Sequence, residues 1–314
     1  MLLSTLLPHA GFITLGLLWQ RLRFFDLPAA VLRRHLNALI FSLLLPAYTL
    51  PYLWHVKLSI DMLISSAMIL FSVLITLVLS WWWLKGKKWA APTKGGMLLA
   101  TVFPAVFALG VPAVSFTTGI WAQRLALEAG ALVILPVLFS LGSLLAYRLG
   151  DKSKQPLPRP LMLHQMPMTW AVVAGLGLNY FVIATPVAVD LWLKNLSATV
   201  FPLLLVATGA SLRWSRPWGR FLVKLLPLFL LSLLIAPLLV WLLGQLLEFN
   251  KPKTLTTLMI LAGLPAMTLG FTLCERYRLD ATAYNLVFTA TSVLAMVTIP
   301  VWIYAIQMGW LAVN

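Results

Sequence analysis

Apolar stretches of about 20 residues, separated by short polar connections, recur along the whole chain and leave few folds open to it. A helix needs about 20 consecutive apolar residues to cross the hydrocarbon core of a bilayer. Ten such stretches are present, at roughly 2–20, 34–54, 59–84, 95–118, 123–148, 167–186, 194–213, 219–247, 254–274 and 282–310. In hydrocarbon every backbone polar group needs an internal partner, so stretches of this length predict helices. Only 10% of the 314 residues are charged, where a soluble domain has about 25%. The sequence therefore predicts an all-α integral membrane protein with little room for a soluble domain. The first stretch runs directly into Arg21 without a small-residue cleavage site and is expected to be retained.

The stretches fall into two related halves. LNALIFSLLL at 36–45 returns as LSATVFPLLL at 196–205, and both open the second stretch of their half. The same offset lays Leu109-Gly110 on Leu269-Gly270, and one step more lays Pro104 on Pro265. Five spans per half is an odd number, so the second half must enter the membrane from the opposite side. The expectation is ten transmembrane helices arranged as two inverted five-helix repeats, a sequence sign of secondary transporters. The repeats are placed at 1–150 and 167–314, joined by a cytoplasmic linker at 151–166. That linker carries Pro156, Pro158 and Pro160, and Pro167 follows it directly. Its flanking methionines, Met162, Met166 and Met168, suit re-entry into the interface or, alternatively, copper binding.

The net charge of +15 belongs to the loops rather than to a nucleic-acid surface. With the amino terminus outside, 18 of the 23 basic residues fall in five cytoplasmic loops, from Arg21 to Arg34, Lys85 to Lys94, Arg148 to Arg159, Arg213 to Lys224 and Arg276 to Arg278. Such asymmetry follows the positive-inside rule and puts both termini in the periplasm or outside the cell. Trp81 to Trp83, Trp214 and Trp218 suit aromatic belts at the interfaces. The single Cys274 excludes an internal disulfide.

Two stretches are interrupted. The fourth contains Pro104, Gly110 and Pro112, and the ninth Gly263, Pro265 and Gly270. Proline removes a backbone donor and clashes with the preceding turn, which opens a helix. At membrane depth an opened helix is tolerated where protein or a hydrated cavity satisfies it. Breaks at matching depth in related halves point to one central site, where half-helix amino termini suit an anion. The plainer alternative is that these prolines only kink their helices.

Pro104, Ala105, Gly110, Pro112, Pro265, Thr268 and Gly270 are accordingly the expected substrate-binding residues, with Asn37, Asn179 and Asn285 as amides able to face the cavity. Ionisable groups inside a membrane default to functional hypotheses. Glu128, early in the fifth stretch, is one coupling candidate; an i,i+4 partnership with Arg124 at the interface is its structural alternative. Asp280 is a second coupling candidate, with capping of the tenth helix as its structural reading. Gly175, Gly177 and Gly209 suit close helix packing.

Several segments resemble the auxin efflux carrier family, which includes plant auxin exporters and bacterial malonate or malate permease-like proteins. Gly16 and Arg21 precede LPAAVLRRHLNALIFSLLLPAYTL, with Asn37 and Pro46 at familiar places, and FPLLLVATGASL (Phe201 to Leu212) is similar to the family's seventh helix. The most specific stretch runs from Leu264 to Pro300 and includes Pro265, Tyr277, Asp280, Thr291, Thr298 and Pro300. The resemblance covers essentially the whole chain. It implies a ten-helix fold shared with bile-acid sodium symporters, in which helices 1, 2, 6 and 7 form a scaffold and helices 3–5 and 8–10 a mobile transport unit. The broken fourth and ninth helices would cross in an X and bind substrate. One position departs from the pattern. Family members usually carry asparagine five residues before the Gly-x-Pro of helix four, and Ala105 stands there. An alanine side chain cannot donate to a carboxylate, which favours a more apolar anion or a different binding mode.

The expected function is a secondary transporter that moves an organic anion, a carboxylate or an apolar weak acid, across a bacterial inner membrane by alternating access. The alternatives are a non-transporting receptor of the same fold and a sodium-coupled bile-acid-like symporter. An enzyme is not expected, because no HExxH or comparable constellation is present, and no Walker motif suggests ATP-driven transport. The expected partners are the anion, membrane lipid and a second copy through the scaffold helices. No cofactor, metal or nucleic acid is expected.

Overall fold

The computed structural model describes residues 2–22, 26–57, 59–153, 163–213 and 219–308. Trp214, Trp218, Met162 and most of the proline-rich linker lie outside these residues. Among the described residues the protein is all-helical, without a β-strand. Six helices among the described residues are long and apolar enough to cross a membrane: Ala29–His55, Ile60–Lys85, Ile120–Leu149, Val187–Ser211, Leu222–Leu246 and Ala281–Ile306. Their outer faces carry large apolar side chains, with Leu63 70%, Trp82 75%, Met296 72% and Val297 64% exposed. Apolar surface on this scale fits a membrane-embedded protein.

The chain divides into two compact units. The first comprises residues 1–62 and 161–211. It holds α1 (Leu2–Leu22), α2 (Ala29–His55), α7 (Pro167–Tyr180) and α8 (Val187–Ser211). Backbone contact joins α1 to α8: a Cβ added to Gly16 would overlap the Val206 carbonyl, and one added to Gly209 the Ile13 carbonyl. Gln20 Nε2 donates to the Gly209 carbonyl at 2.9 Å across the same contact. On α7, a Cβ at Gly175 would stand 2.9 Å from Leu53 Cβ, whereas Gly177 has nothing within 4 Å. Gly177 is thus not a packing glycine. The sixth apolar stretch was expected to reach residue 186, but its helix ends at Tyr180. There Val182 adopts φ 51° and Ile183 donates back to the Leu178 carbonyl at 3.0 Å.

The second unit comprises residues 63–160 and 212–314. It takes α3 (Ile60–Lys85) from residue 63 onward, then α4 (Ala91–Val102), α5 (Val106–Thr117), α6 (Ile120–Leu149), α9 (Leu222–Leu246), α10 (Pro252–Ala262), α11 (Gly270–Arg276) and α12 (Ala281–Gln307). Gly96 lets α4 lie directly on the start of α12, because an added Cβ would be 2.6 Å from the Asp280 carbonyl oxygen. Trp302 Nε1 on α12 donates to the Leu233 carbonyl of α9 at 2.9 Å.

Proline also explains where helices widen. Turns of i→i−5 type occupy Ile40–Leu44, Val106–Gly110, Ala129–Ile134, Leu138–Gly142 and Leu231–Ile235, and all but Leu138–Gly142 end two residues before a proline: Pro46, Pro112, Pro136 and Pro237. A proline lacks the donor for the preceding turn and its ring crowds the carbonyl there. Widening by one residue is one way to relieve that conflict within a continuing helix.

Candidate functional site

The fourth and ninth apolar stretches each run as two short helices rather than one long one, and their breaks meet. The Ala105 amide donates to the Pro265 carbonyl at 2.8 Å, and the Met267 amide donates to the Phe103 carbonyl at 3.1 Å. Pro104 and Ala266 face each other in this antiparallel pair. The pattern suits proline, because only the flanking residues exchange hydrogen bonds and neither proline is asked for a donor. Backbone groups that would be stranded by a broken helix thereby satisfy one another. Phe103, Ala105, Ala266 and Met267 are all less than 5% exposed.

Beyond the crossing the chain re-enters helix on both sides. The Ala105 carbonyl accepts from the amides of Leu109 and Gly110 at 3.0 and 3.1 Å, and α5 starts there. Gly110 sits close to the other broken segment: an added Cβ would be 2.9 Å from Leu264 Cδ1 and 3.0 Å from Leu261 Cδ2. Pro112 is half-buried in the second turn. After the second break, Thr268 is 2% exposed and its carbonyl accepts from the Phe271 amide at 3.2 Å. Gly270 faces Tyr284 of α12 so closely that an added Cβ would overlap the phenol oxygen.

Two side chains of α12 hold the second break. The Tyr284 hydroxyl donates to the Met267 carbonyl, and the Ala266 amide donates to Thr291 Oγ1 at 3.3 Å. Tyr284 packs against Phe271 at 4.5 Å between ring centroids and Phe271 against Phe288 at 5.5 Å, which fixes its orientation. Asn285, 8% exposed, accepts from Thr289 Oγ1 at 3.3 Å. At the head of the same helix Asp280 caps it, accepting from the amides of Thr282 and Ala283, both at 3.0 Å, and from Thr93 Oγ1 at 3.0 Å. The carboxylate is thus engaged as a structural clasp between α4 and α12.

The crossing is electrically neutral in its side chains: no charged residue occurs between Lys94 and Arg124 or between Lys253 and Glu275. Glu128 lies in the stretch Gln123–Glu128 of α6, which packs on Val106–Gly110 and on α10. It is 8% exposed and is the one acid of the eight that is buried, while Arg124 is exposed. Of the expected site residues, Pro104, Ala105 and Pro265 are brought into direct contact, and Gly110, Thr268 and Gly270 flank them. Asn37 and Asn179 belong to the first unit. Asn179 Nδ2 donates to the carbonyls of Trp54 and Val56, both at 2.8 Å, so it closes the end of α2.

Other groups at the crossing carry a weaker signal in the residues. Thr291 and Tyr284 support the break from a separate helix, and the hydroxyls of Ser72, Thr76, Thr101 and Ser232 gather behind it around a cavity of about 10 Å³. Their only sequence signal is the recurrence of small hydroxyls one helical turn apart on α3. Among the described residues no group of three or more His, Cys, Asp or Glu side chains could hold a metal. A scan of protein-family models gives no match to this chain, and neither does a search of curated proteins.

Proposed function

We propose that the protein is a secondary transporter of an organic anion, related to auxin efflux carriers and built from ten spans in two inverted five-helix repeats. The observation that carries this reading is the backbone pairing of the two proline breaks. A membrane protein gains nothing for stability by opening two helices at one point, since a continuous helix satisfies its own backbone. Paired discontinuous helices serve instead to present helix ends to a solute at mid-membrane. The amino end of α5, starting at the crossing, provides amide donors and a partial positive charge for an anion.

Ala105 and the uncharged surroundings bear on the substrate. With no asparagine amide and no cationic side chain at the crossing, recognition rests on backbone donors, on hydroxyls and on apolar contact. That favours an anion with a substantial apolar body over a small, strongly hydrated dicarboxylate. In this reading the unit that carries the crossing is the moving part, the other unit is the scaffold, and Glu128 is the candidate for proton coupling. The loop charges support a bacterial inner-membrane location with both termini outside.

Purified protein in liposomes tests the proposal. A thermal-shift screen of monocarboxylates, dicarboxylates, aromatic acids and bile-like anions finds binders, because a ligand stabilises the state it binds. Flux of a labelled binder across the liposome membrane is the expected result. Binding without flux identifies a receptor instead, and absence of both overturns the anion site.

A further inference from the structure

We propose that the corner joining α3 to α4 binds one acidic phospholipid, with its phosphate at Lys85 and Lys87 and its acyl chains along the outer face of α3. The corner forms an open groove of about 560 Å³, lined by Trp82, Trp83, Lys85, Gly86 and Lys87. That volume lies within the range of about 300–1,000 Å³ typical of small-ligand sites. Binding here requires only that the protein lies in a membrane, and it is independent of transport.

The depth of the groove follows from the length of α3. Its 26 residues rise about 1.5 Å each, about 39 Å in all, which exceeds the roughly 30 Å of hydrocarbon in a bilayer. Asp61 in the first turn and Lys85 in the last are the charged residues of this helix, so each end stands in a headgroup layer. Trp82, 75% exposed, then lies at the interfacial depth that indoles favour. Phe71 and Val78 are exposed as well, and with Trp82 they follow an i, i+7, i+11 spacing that puts all three on one helical face. The groove therefore opens onto a continuous apolar flank at hydrocarbon depth.

The sign of the ligand's charge follows from the lysines. Lys85, Lys87 and Lys88 are exposed, and none of them forms an ion pair among the described residues. No acidic residue occurs between Asp61 and Glu128. Lys87 Nζ stands 4.5 Å from the centroid of the Trp83 ring, and Trp83 meets Trp89 edge-on at 5.8 Å. This cation–π contact orients an ammonium on the groove wall without neutralising it. A Cβ on Gly86 would meet only the Trp83 carbonyl, at 3.7 Å, so the backbone between the two lysines is open to a ligand. Gly95 of α4 packs on Leu149 and Leu279, which brings the neighbouring Arg148 and Arg278 to the same end of the unit and adds to its positive field.

A ligand of this groove has to match a cationic rim and the apolar flank beneath it together. Free phosphate engages the lysines and leaves the flank uncovered. A zwitterionic phospholipid covers the flank but brings a second cation to the rim. A phospholipid with a net negative headgroup, of the phosphatidylglycerol class, matches both, because basic groups at the membrane surface attract acidic lipid.

Native mass spectrometry of the purified full chain, released from micelles that contain equal amounts of phosphatidylglycerol and phosphatidylcholine, tests the site. One phosphatidylglycerol retained in preference to phosphatidylcholine is the expected result. Lys85→Gln combined with Lys87→Gln should weaken its retention about 25-fold, roughly fivefold for each charge, and Trp82→Ala should weaken it as well. All three positions are exposed, so these variants are expected to fold. The charge-matched pair Lys251→Gln and Lys253→Gln should leave retention unchanged. Equal retention of the two lipids overturns the proposal. An equal loss in the Lys251 and Lys253 pair overturns it too, since net charge alone would then attract the lipid. Displacement of the lipid by an equimolar amount of glycerophosphoglycerol, the same headgroup without chains, identifies a soluble phosphoester as the ligand and likewise overturns it. No flux enters these measurements: absence of anion transport leaves the lipid site standing, and loss of the lipid site leaves the transport reading intact.

Discussion

The chain leaves the helical path at Pro104 and again at Pro265, and the two departures share a backbone solution while differing in what surrounds them. Each contributes one amide and one carbonyl to the pair formed by Ala105 with Pro265 and Met267 with Phe103. The second break is also clamped by α12, through the Tyr284 hydroxyl on the Met267 carbonyl and Thr291 Oγ1 under the Ala266 amide. Around the first break the neighbours are apolar: Leu264 and Leu261 close on Gly110, and the ring of Phe107 on Gly130. One break is therefore fixed by directional bonds from side chains, and the other is enclosed by side chains that can turn. A two-state element needs one part that keeps its geometry and one part that can yield.

The largest effect is expected where the fixed side is overfilled. In Gly270→Ala the new methyl group meets the Tyr284 hydroxyl, which is held by its bond to Met267 and by Phe271 and Phe288. The protein is expected to lose about 3 kcal/mol, the upper end for overpacking, measured by denaturant unfolding in detergent. Adding Tyr284→Phe to this variant removes the nearest contact but leaves Cζ and Cε2 of the ring 2.5 and 2.6 Å from the new methyl carbon, so it should recover a small part of the loss, a coupling visible in a double-mutant cycle. Independent, additive losses would break the account of a rigid second side.

Tyr284→Phe alone removes the donor to a buried carbonyl, at a cost of about 2 kcal/mol. A smaller loss of about 1 kcal/mol is expected for Thr291→Val, which keeps the shape but takes away the acceptor for the Ala266 amide. Its hydrogen bond is long at 3.3 Å. Faster hydrogen exchange at the Ala266 amide, with the Ala105 amide unaffected, is the sharper readout. Equal acceleration at both would mean that the two breaks open as one.

Much of this arrangement is written in the residues. Long apolar stretches specify helices because hydrocarbon offers the backbone no other partner, and prolines mark breaks and wide turns because the missing donor travels with the residue. The glycines at 110 and 270 are visible as small residues beside those breaks. What joins Pro104 to Pro265 is not visible, since a carbonyl and an amide belong to every residue and only the fold decides which ones meet. Asn179 illustrates the converse: an amide in an apolar stretch reads as a ligand, yet its donors close the end of α2, and the same turn with Val182 at positive φ shortens α7. Ser72, Thr76, Thr101 and Ser232 look like ordinary helical hydroxyls until three helices bring them to one cavity.

Gly110→Ala should have the smallest effect, and it tests the yielding side directly. The new methyl carbon falls 2.9 Å from Leu264 Cδ1 and 3.0 Å from Leu261 Cδ2, both ends of flexible side chains rather than backbone. Rotation of two leucines relieves such contacts, so the cost should stay near 1 kcal/mol. Part of it is offset because alanine restricts the unfolded chain more than glycine and favours helix. The difference from Gly270→Ala, about 2 kcal/mol for the same added methyl group, measures the asymmetry of the two breaks independently of any substrate. Equal losses would show that the apolar surroundings of the first break are as unyielding as the hydroxyl clamp of the second, and would remove the physical basis for assigning motion to the first.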